Sequence, residues 1–249
     1  MCGRYALFGP SSRLREQFGT QTEFEWADTY NVAPSQRVPV IRAAECGRRE
    51  IVLAQWGLLA SWVAAVGQAR RPVNAKLETA AGKPMFRAAF RHSRVLVPAC
   101  GFYEWRPGPD SKQPYFIRSA GGESLLGFGG LLECRDGSDG PVRSFAILTT
   151  AANESIAPIH ERMPVIIAPE NYADWLDPEV TDVALLVEIA QHCDPERIEA
   201  FPVDGAVGNV RAQGPQLVAP LAPATGGPWA ADVSAQTDRP RRSLGDAKR

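Results

Sequence analysis

The chain has 249 residues, 45% of them hydrophobic, and a formal net charge of −1. This length and apolar content suffice for one well-buried domain of the larger kind, and no stretch approaches the roughly 20 continuous apolar residues of a membrane-spanning helix. The balanced charge excludes neither nucleic acid nor other partners, because basic residues can still gather on one face.

Short apolar runs between frequent prolines and glycines predict a chain rich in strands and turns. The predicted strands, in chain order, are Ile51–Gln55, Val95–Ala99, Pro114–Arg118, Ser124–Leu132, Ser144–Thr149, Pro164–Ile167 and Ile198–Val203. Their lengths suit buried strands of a mixed or barrel-like sheet.

Helix signals are fewer than strand signals. We expect Ser11-Ser12 to cap a helix that runs through Phe18, Pro169–Leu176 to form a second, and Thr181 to cap a third. The inner face of the third helix would carry Ala184, Val187 and Ala190, or else Val183, Leu186 and Ala190. The predicted fold class is α+β and predominantly β, a barrel-like mixed sheet with a few peripheral helices.

The two ends of the chain carry information on domain organisation and location. After about Pro220 the sequence loses apolar periodicity, which predicts a single domain over residues 1–220 and a disordered tail over 221–249. The tail is mildly basic, and a solvated end is favoured over an arm that tethers DNA. The start, Met1 to Tyr5, lacks an apolar signal core, so we expect a cytoplasmic protein with no membrane contact.

The five cysteines are widely spaced and odd in number, which in a cytosolic chain favours free thiols over disulfides. They are Cys2, Cys46, Cys100, Cys134 and Cys193. His192 and Cys193 are adjacent, but no C-x-x-C pair accompanies them. We therefore predict no zinc site, no other metal and no cofactor.

Cys2 becomes chemically distinctive if Met1 is removed. Methionine aminopeptidases remove this residue when the second residue is small, as cysteine is. An amino-terminal cysteine carries an amine and a thiol two carbons apart, with pKa values near ~7.7 and ~8.5 in free form. An aldehyde would form a Schiff base with the amine, and the thiolate would then close a stable five-membered thiazolidine. Taken alone, Cys2 fits better as the second residue of a frayed terminus, and only the residues considered next change that balance.

Three further segments are unusually polar for their surroundings. If Val73–Thr79 is extended, Asn74 and Lys76 share one face. Glu104 stands between two aromatic residues after an apolar strand, where a carboxylate can have a raised pKa suited to proton transfer. His160 lies in a proline-bounded loop before a strand, and histidine exchanges protons near neutral pH. A structural ion pair for Glu104 and a structural histidine remain the alternatives.

Seven motifs occur in an order that resembles the SOS response-associated peptidase (SRAP) family, from Met1 to about Val218. They are Met1–Tyr5, Tyr30–Pro34, Trp56-Gly57, Asn74–Thr79, Gly101–Trp105, His160–Pro164 and Val207–Val210. Members of the family are known as sensors that crosslink to abasic sites in single-stranded DNA. The resemblance therefore implies this DNA as the partner, with nucleoid association when bound.

The resemblance also implies roles for individual residues. Cys2 matches the crosslinking cysteine, and Asn74 matches an asparagine that orients the reacting terminus. Glu104 would shuttle protons, and His160 would contact the deoxyribose oxygen and assist ring opening. The implied DNA contacts are Arg4, Pro34, Trp62, Lys76 and Thr149.

Three positions depart from the family pattern. Lys76 stands where relatives often carry arginine, so it keeps the charge and loses the bidentate fork. Ala60 and Val63 replace a proline and one of two tryptophans in a segment that stacks on bases at a strand junction. Trp62 can still stack, so we expect a weaker junction preference.

Three functions from different classes fit these residues. The favoured one is covalent capture of abasic sites through Cys2. A thiol hydrolase would use Cys2 as nucleophile, His160 as base and Glu104 as orienting group. A non-catalytic single-strand binding module would use Arg4, Trp62 and Lys76. This function leaves the set of Cys2, Asn74, Glu104 and His160 unexplained.

Overall fold

A computed structural model describes residues 2–44, 47–62, 71–137, 140–191 and 194–221. The strands are β1 Tyr5–Leu7, β2 Thr29–Val32, β3 Arg37–Ala43, β4 Arg49–Trp56, β5 Asn74–Lys76, β6 Arg94–Ala99, β7 Gly101–Arg106, β8 Gln113–Ser119, β9 Leu126–Arg135, β10 Val142–Ala151, β11 Arg162–Pro164, β12 Ile166–Ile167 and β13 Ile198–Pro202. The helices are α1 Ser11–Phe18, α2 Leu77–Ala80, α3 Arg87–His92, α4 Tyr172–Leu176 and α5 Val183–Gln191. Short 3₁₀ helices cover Pro169–Asn171, Pro195–Arg197, Gly205–Gly208 and Pro215–Val218.

Five strands close into a barrel in the order β10-β4-β3-β6-β9, because β9 pairs back with β10. The β4–β10 pairing is parallel, and the other pairings around the ring are antiparallel. Closure pairs the strand edges, and apolar side chains such as Trp56, Phe128 and Phe145 fill the core. The predicted fold class, a predominantly β α+β protein with a barrel-like mixed sheet, is confirmed.

The second half of β10 carries additional strands beyond the barrel ring. β5 pairs parallel with β10 at Ile147–Thr149, and β11 pairs antiparallel with it at Thr149–Ala151. Val165, between β11 and β12, donates its N–H to the Leu148 carbonyl and accepts from the Gly129 N–H. This arrangement brings the segments of Asn74 and His160 to the same end of β10.

A second sheet, in the order β13-β8-β7-β1-β2, delivers the amino terminus to the barrel. Tyr5 pairs with Phe102 across β1 and β7, and Phe102 packs edge-on against Phe128 of the barrel at 5.8 Å between ring centroids. Gly101 is required at the start of β7, because a Cβ there would lie 2.5 Å from the Ile117 carbonyl oxygen. The sheet therefore packs one face against the barrel core.

The predicted strands match β4, β6, β8, β9, β10 and β13 with shifts of a few residues at their ends. The run Pro164–Ile167 divides into β11 and β12 around Val165. Gly101–Trp105, expected to follow a strand, is itself the strand β7. The sequence analysis also missed β1, β2, β3 and β5 and the short helices α2 and α3.

The helices lie where they were predicted, but two of the predicted caps are wrong. α1 begins at Ser11 after Pro10, and the Ser11 hydroxyl accepts a hydrogen bond from the Trp26 N–H instead of capping the helix. At α5 the Asp182 carboxylate accepts from the Ala184 N–H, so the cap lies one residue beyond Thr181. The buried face of α5 is Leu186, Ile189 and Ala190, nearest to the second of the two predicted faces.

Several sequence-based expectations fall on residues outside those described: the tail from residue 222 onward, Val63, Cys46 and the pair His192-Cys193. Of the remaining cysteines, Cys2, Cys100 and Cys134 are free thiols, as predicted. Among the helices within the described ranges, none is long and apolar enough to cross a membrane. The division into one domain and a tail stays a prediction.

Candidate functional site

Cys2 is fully buried, so the start of the chain is not the frayed terminus that Cys2 alone would fit. The chain enters the second sheet at once, since the Tyr103 N–H already donates to the Arg4 carbonyl before β1 begins. The Cys2 carbonyl accepts a hydrogen bond of 2.8 Å from Nδ2 of Asn74. Backbone pairing and this side-chain bond therefore hold the start of the chain against the barrel.

Glu104 lies on β7 with only 3% of its side chain exposed. Its Oε2 is 3.9 Å from Nε2 of His160, a side chain that is 26% exposed. Burial raises the pKa of Glu104 above its ordinary value, and the facing His160 opposes that shift. The carboxylate is therefore a stronger base than a solvated glutamate and faces a second proton-exchanging group.

The bonding of His160 determines which ring nitrogen faces Glu104. Nδ1 of His160 lies 2.9 Å from the Arg162 backbone N–H, which can donate to it, and 3.1 Å from the Arg162 carbonyl oxygen, which can accept from it. In the tautomer that accepts at Nδ1, the proton resides on Nε2, the atom directed toward Glu104. His160 can pass this proton to a neighbouring oxygen and regain one from Glu104.

The Cys2 thiol has a pKa well above its usual range, raised first by burial and second by the Glu104 carboxylate. The Cys2 thiol therefore holds its proton more firmly in the folded chain than a free cysteine thiol does. Reaction at sulfur requires a proton acceptor close by. The Glu104 carboxylate acts electrostatically on the thiol, so it can serve as that acceptor.

Arg162 and Glu78, which sequence reasoning quoted in motifs without a role, brace the site from outside. Two hydrogen bonds of 2.6 and 2.9 Å join the Arg162 guanidinium to the Glu78 carboxylate. A third, of 2.6 Å, runs from Nη2 of Arg162 to the Thr149 carbonyl. Glu78 follows β5 and Arg162 opens β11, so the brace fixes the Asn74 segment to the His160 segment across β10.

We predict that Glu78→Gln lowers the free energy of unfolding by less than about 1 kcal/mol at neutral pH, because Glu78 is partly exposed. Hydrogen bonding to Arg162 lowers the pKa of Glu78, so the pair's stabilisation is present above the ordinary pKa near 4.5 and is lost as pH falls through the folded value. Urea unfolding at neutral and acidic pH measures this.

The matched control for Glu78→Gln is Glu170→Gln, which breaks the more exposed Arg197–Glu170 pair. This control should shift the unfolding midpoint less than Glu78→Gln does. An equal shift in the two variants would show that the Glu78–Arg162 pair contributes no more than an ordinary surface ion pair.

Arg4 has an internal role that the motif analysis did not anticipate. Its Nη1 donates to Asn31 Oδ1 and to the Val207 carbonyl, both at 2.9 Å, and its Nη2 donates to the Gly208 carbonyl at 3.3 Å. The Asn31 amide nitrogen also donates to backbone carbonyls of this region, including that of Asn209. Arg4 thus ties three of the sequence motifs together, and a phosphate contact through its remaining N–H groups stays a prediction.

The other predicted DNA contacts differ in accessibility. Trp62 is 66% exposed, Lys76 is exposed and Pro34 is half-buried. Thr149 is buried, and its carbonyl and hydroxyl both face Arg162. Trp62 and Lys76 are therefore available to a ligand as the structure stands, whereas Thr149 is not.

The structure brings the four predicted catalytic residues into one chain of interactions. Asn74 bonds the Cys2 backbone, Glu104 acts electrostatically on the Cys2 thiol, and Glu104 faces His160. Oδ1 of Asn74 is buried and accepts no hydrogen bond from the described residues. The cluster combines a nucleophile, a raised-pKa carboxylate, an imidazole and an unused acceptor, which suits proton-coupled addition chemistry.

Two similar proteins are named as abasic site processing proteins. The abasic site processing protein YoqW of Bacillus subtilis is 35% identical over 223 residues, which cover 88% of this chain and 99% of that protein. The abasic site processing protein YedK of Escherichia coli is 30% identical over 236 residues, covering 89% of this chain and 100% of its own length.

Solved structures show the same fold. A protein from Bacteroides thetaiotaomicron superposes with a TM-score of 0.79 at 24% identity, covering 89% of this chain and 100% of that one. A phage-related protein from Bordetella bronchiseptica gives a TM-score of 0.66 at 30% identity over 81% of this chain and 94% of its own. The sequence model of the SOS response associated peptidase family matches residues 1–210, and the chain therefore belongs to that family.

Proposed function

We propose that this chain captures abasic sites in single-stranded DNA as a covalent thiazolidine on Cys2 after Met1 has been removed. The supporting observation is the placement of Cys2 at the centre of the site, with its backbone held by Asn74 and its thiol acted on by Glu104. The relatives named as abasic site processing proteins support the same substrate.

The first step is opening of the abasic sugar. The closed sugar must release its C1′ aldehyde, which requires proton movement at the ring oxygen. His160 donates the proton from Nε2 to that oxygen as its bond to C1′ breaks, the C1′ hydroxyl gives its proton to the Glu104 carboxylate, and Glu104, 3.9 Å from Nε2, returns that proton to His160. A positioned acid–base group of this kind typically contributes ~10²–10⁴-fold to the rate.

The second step joins the amine to the aldehyde. The α-amine of Cys2 attacks C1′, Glu104 accepts the amine proton, and the carbinolamine hydroxyl leaves as one water. Asn74 Oδ1, which no described donor occupies, accepts a hydrogen bond from the amine and directs its lone pair. The product of this step is a Schiff base.

The third step closes the ring. The thiol sulfur adds to the C=N carbon, and its proton passes through Glu104 to the nitrogen. No oxidant or reductant is consumed, and the net change is one aldehyde, one amine and one thiol giving a thiazolidine and water. The raised thiol pKa delays this step until the proton can be transferred.

Proposed non-covalent contacts position the strand. Lys76 and Arg4 would neutralise backbone phosphates, Trp62 would stack on a base, and Pro34 would line the path, whereas Thr149 is buried against Arg162. None of these side chains reads a base edge, so we expect binding that is largely indifferent to sequence.

A thiol hydrolase is less well supported by the same residues. Such an enzyme is served by a thiolate paired with an imidazolium, as a low-pKa cysteine provides. Here burial and Glu104 both raise the pKa of the thiol, and Nε2 of His160 faces the carboxylate. The need for a terminal amine separates the two functions experimentally.

We therefore predict that retention of Met1 prevents crosslinking. Inserting a large residue between Met1 and Cys2 blocks methionine removal and leaves no 1,2-aminothiol. Protein is incubated with an oligonucleotide bearing one abasic site, then analysed by denaturing electrophoresis and intact mass. The native chain should lose one methionine and gain the oligonucleotide minus one water. Wild-type crosslinking by the blocked protein would overturn the thiazolidine mechanism.

A further inference from the structure

A cleft of about 510 Å³ opens between the end of α2 and α3, outside the site described above. Its lining residues are Ala81, Gly82, Arg87, Ala88, Arg91 and His92. Three of the six can carry positive charge, and none is acidic. The small side chains leave the cationic groups accessible to a ligand of modest size.

The two arginines of the cleft have no protein partner within the described part of the chain. Arg87 is exposed and forms no side-chain hydrogen bond or ion pair with described residues. Arg91 is half-buried, and its Nε is buried without a described hydrogen-bond acceptor. A buried donor of a charged group is costly to leave unpaired, so an anionic acceptor would stabilise it.

The cleft is a short distance along the surface from the crosslinking residues. α2 follows Lys76 of β5 directly and has four residues, which span about 6 Å at 1.5 Å per residue. Lys83 is also exposed and lies one helical turn before Arg87. The Lys83 carbonyl accepts a hydrogen bond from the Arg87 N–H. The acidic residue of α2, Glu78, is held by Arg162. Positive charge thus continues from Lys76 to the cleft.

We infer that this cleft binds backbone phosphates of the single strand that continues away from the captured abasic site. The inference rests on the proposed function and extends it to a second contact region. Guanidinium groups match phosphate oxygens in bidentate geometry, and the cleft offers two of them without a base-reading surface. It would raise affinity for long strands and leave the chemistry at Cys2 unchanged.

The test compares Arg87→Gln and the double variant Arg87→Gln/Arg91→Gln with Arg15→Gln, which removes an exposed arginine of α1 outside the cleft. Reversible binding is measured by fluorescence anisotropy at several salt concentrations on probes whose abasic site is chemically reduced and therefore has no aldehyde to crosslink, and crosslinking is measured separately on the unreduced probes. One probe is a strand of about 15 nucleotides, near the upper site size of single-strand binding folds, with a central abasic site. The other is a trinucleotide centred on the same site, too short to reach the cleft.

Each cleft arginine should reduce the salt slope for the long strand by about 0.7, equivalent to about fivefold weaker binding at 0.1 M salt. Trinucleotide binding and crosslinking should match wild type in every variant. Long-strand slopes equal to that of Arg15→Gln in both cleft variants would overturn the inference. Failure of wild type to crosslink either probe would instead overturn the proposed function. Arg87→Gln alone keeps the test valid if the double variant is destabilised.

Discussion

Cys2→Ala is expected to abolish the heat-stable adduct with abasic-site DNA. Alanine keeps a terminal amine after Met1 removal, so a Schiff base can still form, but without sulfur no ring can close. Reversible binding should persist, because the proposed contacts at Lys76 and Trp62 are untouched. Denaturing electrophoresis with and without heating measures the first effect, and fluorescence anisotropy measures the second.

Cys134→Ala provides the control for Cys2→Ala, because Cys134 is a free and exposed thiol outside the site. It should crosslink at the wild-type rate. Borohydride should trap DNA on Cys2→Ala through the amine, so a trapped species alone does not contradict the mechanism. An undiminished adduct that survives heating without borohydride would remove Cys2 from the reaction.

Glu104→Gln is expected to slow crosslinking by ~10²–10⁴-fold, because glutamine keeps the shape of the side chain and cannot carry the proton. His160→Ala should also be slow, but at the earlier ring-opening step. An oligonucleotide that presents a free aldehyde should therefore rescue His160→Ala more than Glu104→Gln. Single-turnover rates on both substrates measure this, and equal rescue of the two variants would show that their roles are divided wrongly.

The same substitution should stabilise the fold at neutral pH. Burial raises the folded pKa of Glu104 above its ordinary value near 4.5, so the unfolded chain gives up this proton more readily. Wild-type stability therefore falls as pH rises from about 4.5 through the folded pKa, and the loss persists above it. Glutamine has no such dependence. Urea unfolding should show Glu104→Gln gaining over wild type as pH rises; a lower stability at neutral pH would contradict the assigned shift.

If Glu104→Gln slows crosslinking and also stabilises the fold, these opposing effects would identify Glu104 as a catalytic group and not a structural one. A structural ion pair between Glu104 and His160, the alternative left open by the sequence, should lose stability when either partner is neutralised. By contrast, if the buried Glu104 carboxylate is kept for proton transfer at a cost in stability, neutralising it should stabilise the fold. The two measurements on one variant therefore separate these explanations.

The sequence predicts the buried strands well, because runs such as Val95–Ala99 carry their own signal. It misses β1 and β5, which have only three residues each and are strands only because β7 and β10 lie beside them. Closure of the barrel depends on the parallel pairing of β4 with β10, two strands far apart in sequence whose contact no local pattern specifies. Tertiary context decides these elements.

For the site, the motifs point to Cys2, Asn74, Glu104 and His160, but not to their environment. The burial of Cys2 and the raised pKa of its thiol follow from packing that the motif letters do not contain. The roles of Arg162 and Arg4 likewise depend on partners distant in sequence. The family resemblance implied that Arg4 contacts DNA, and it did not indicate the three hydrogen bonds that Arg4 forms inside the protein.

The Arg4–Val207 hydrogen bond has a consequence for synthesis on the ribosome. Its partners are 203 residues apart, so the second is made about 10–40 s after the first at 5–20 residues per second. Throughout that interval the start of the nascent chain lacks the hydrogen bond to Val207 that later fixes it. Enzymes that trim nascent chains can therefore reach the amino terminus during synthesis. The finished fold then encloses the new amino terminus that they produce.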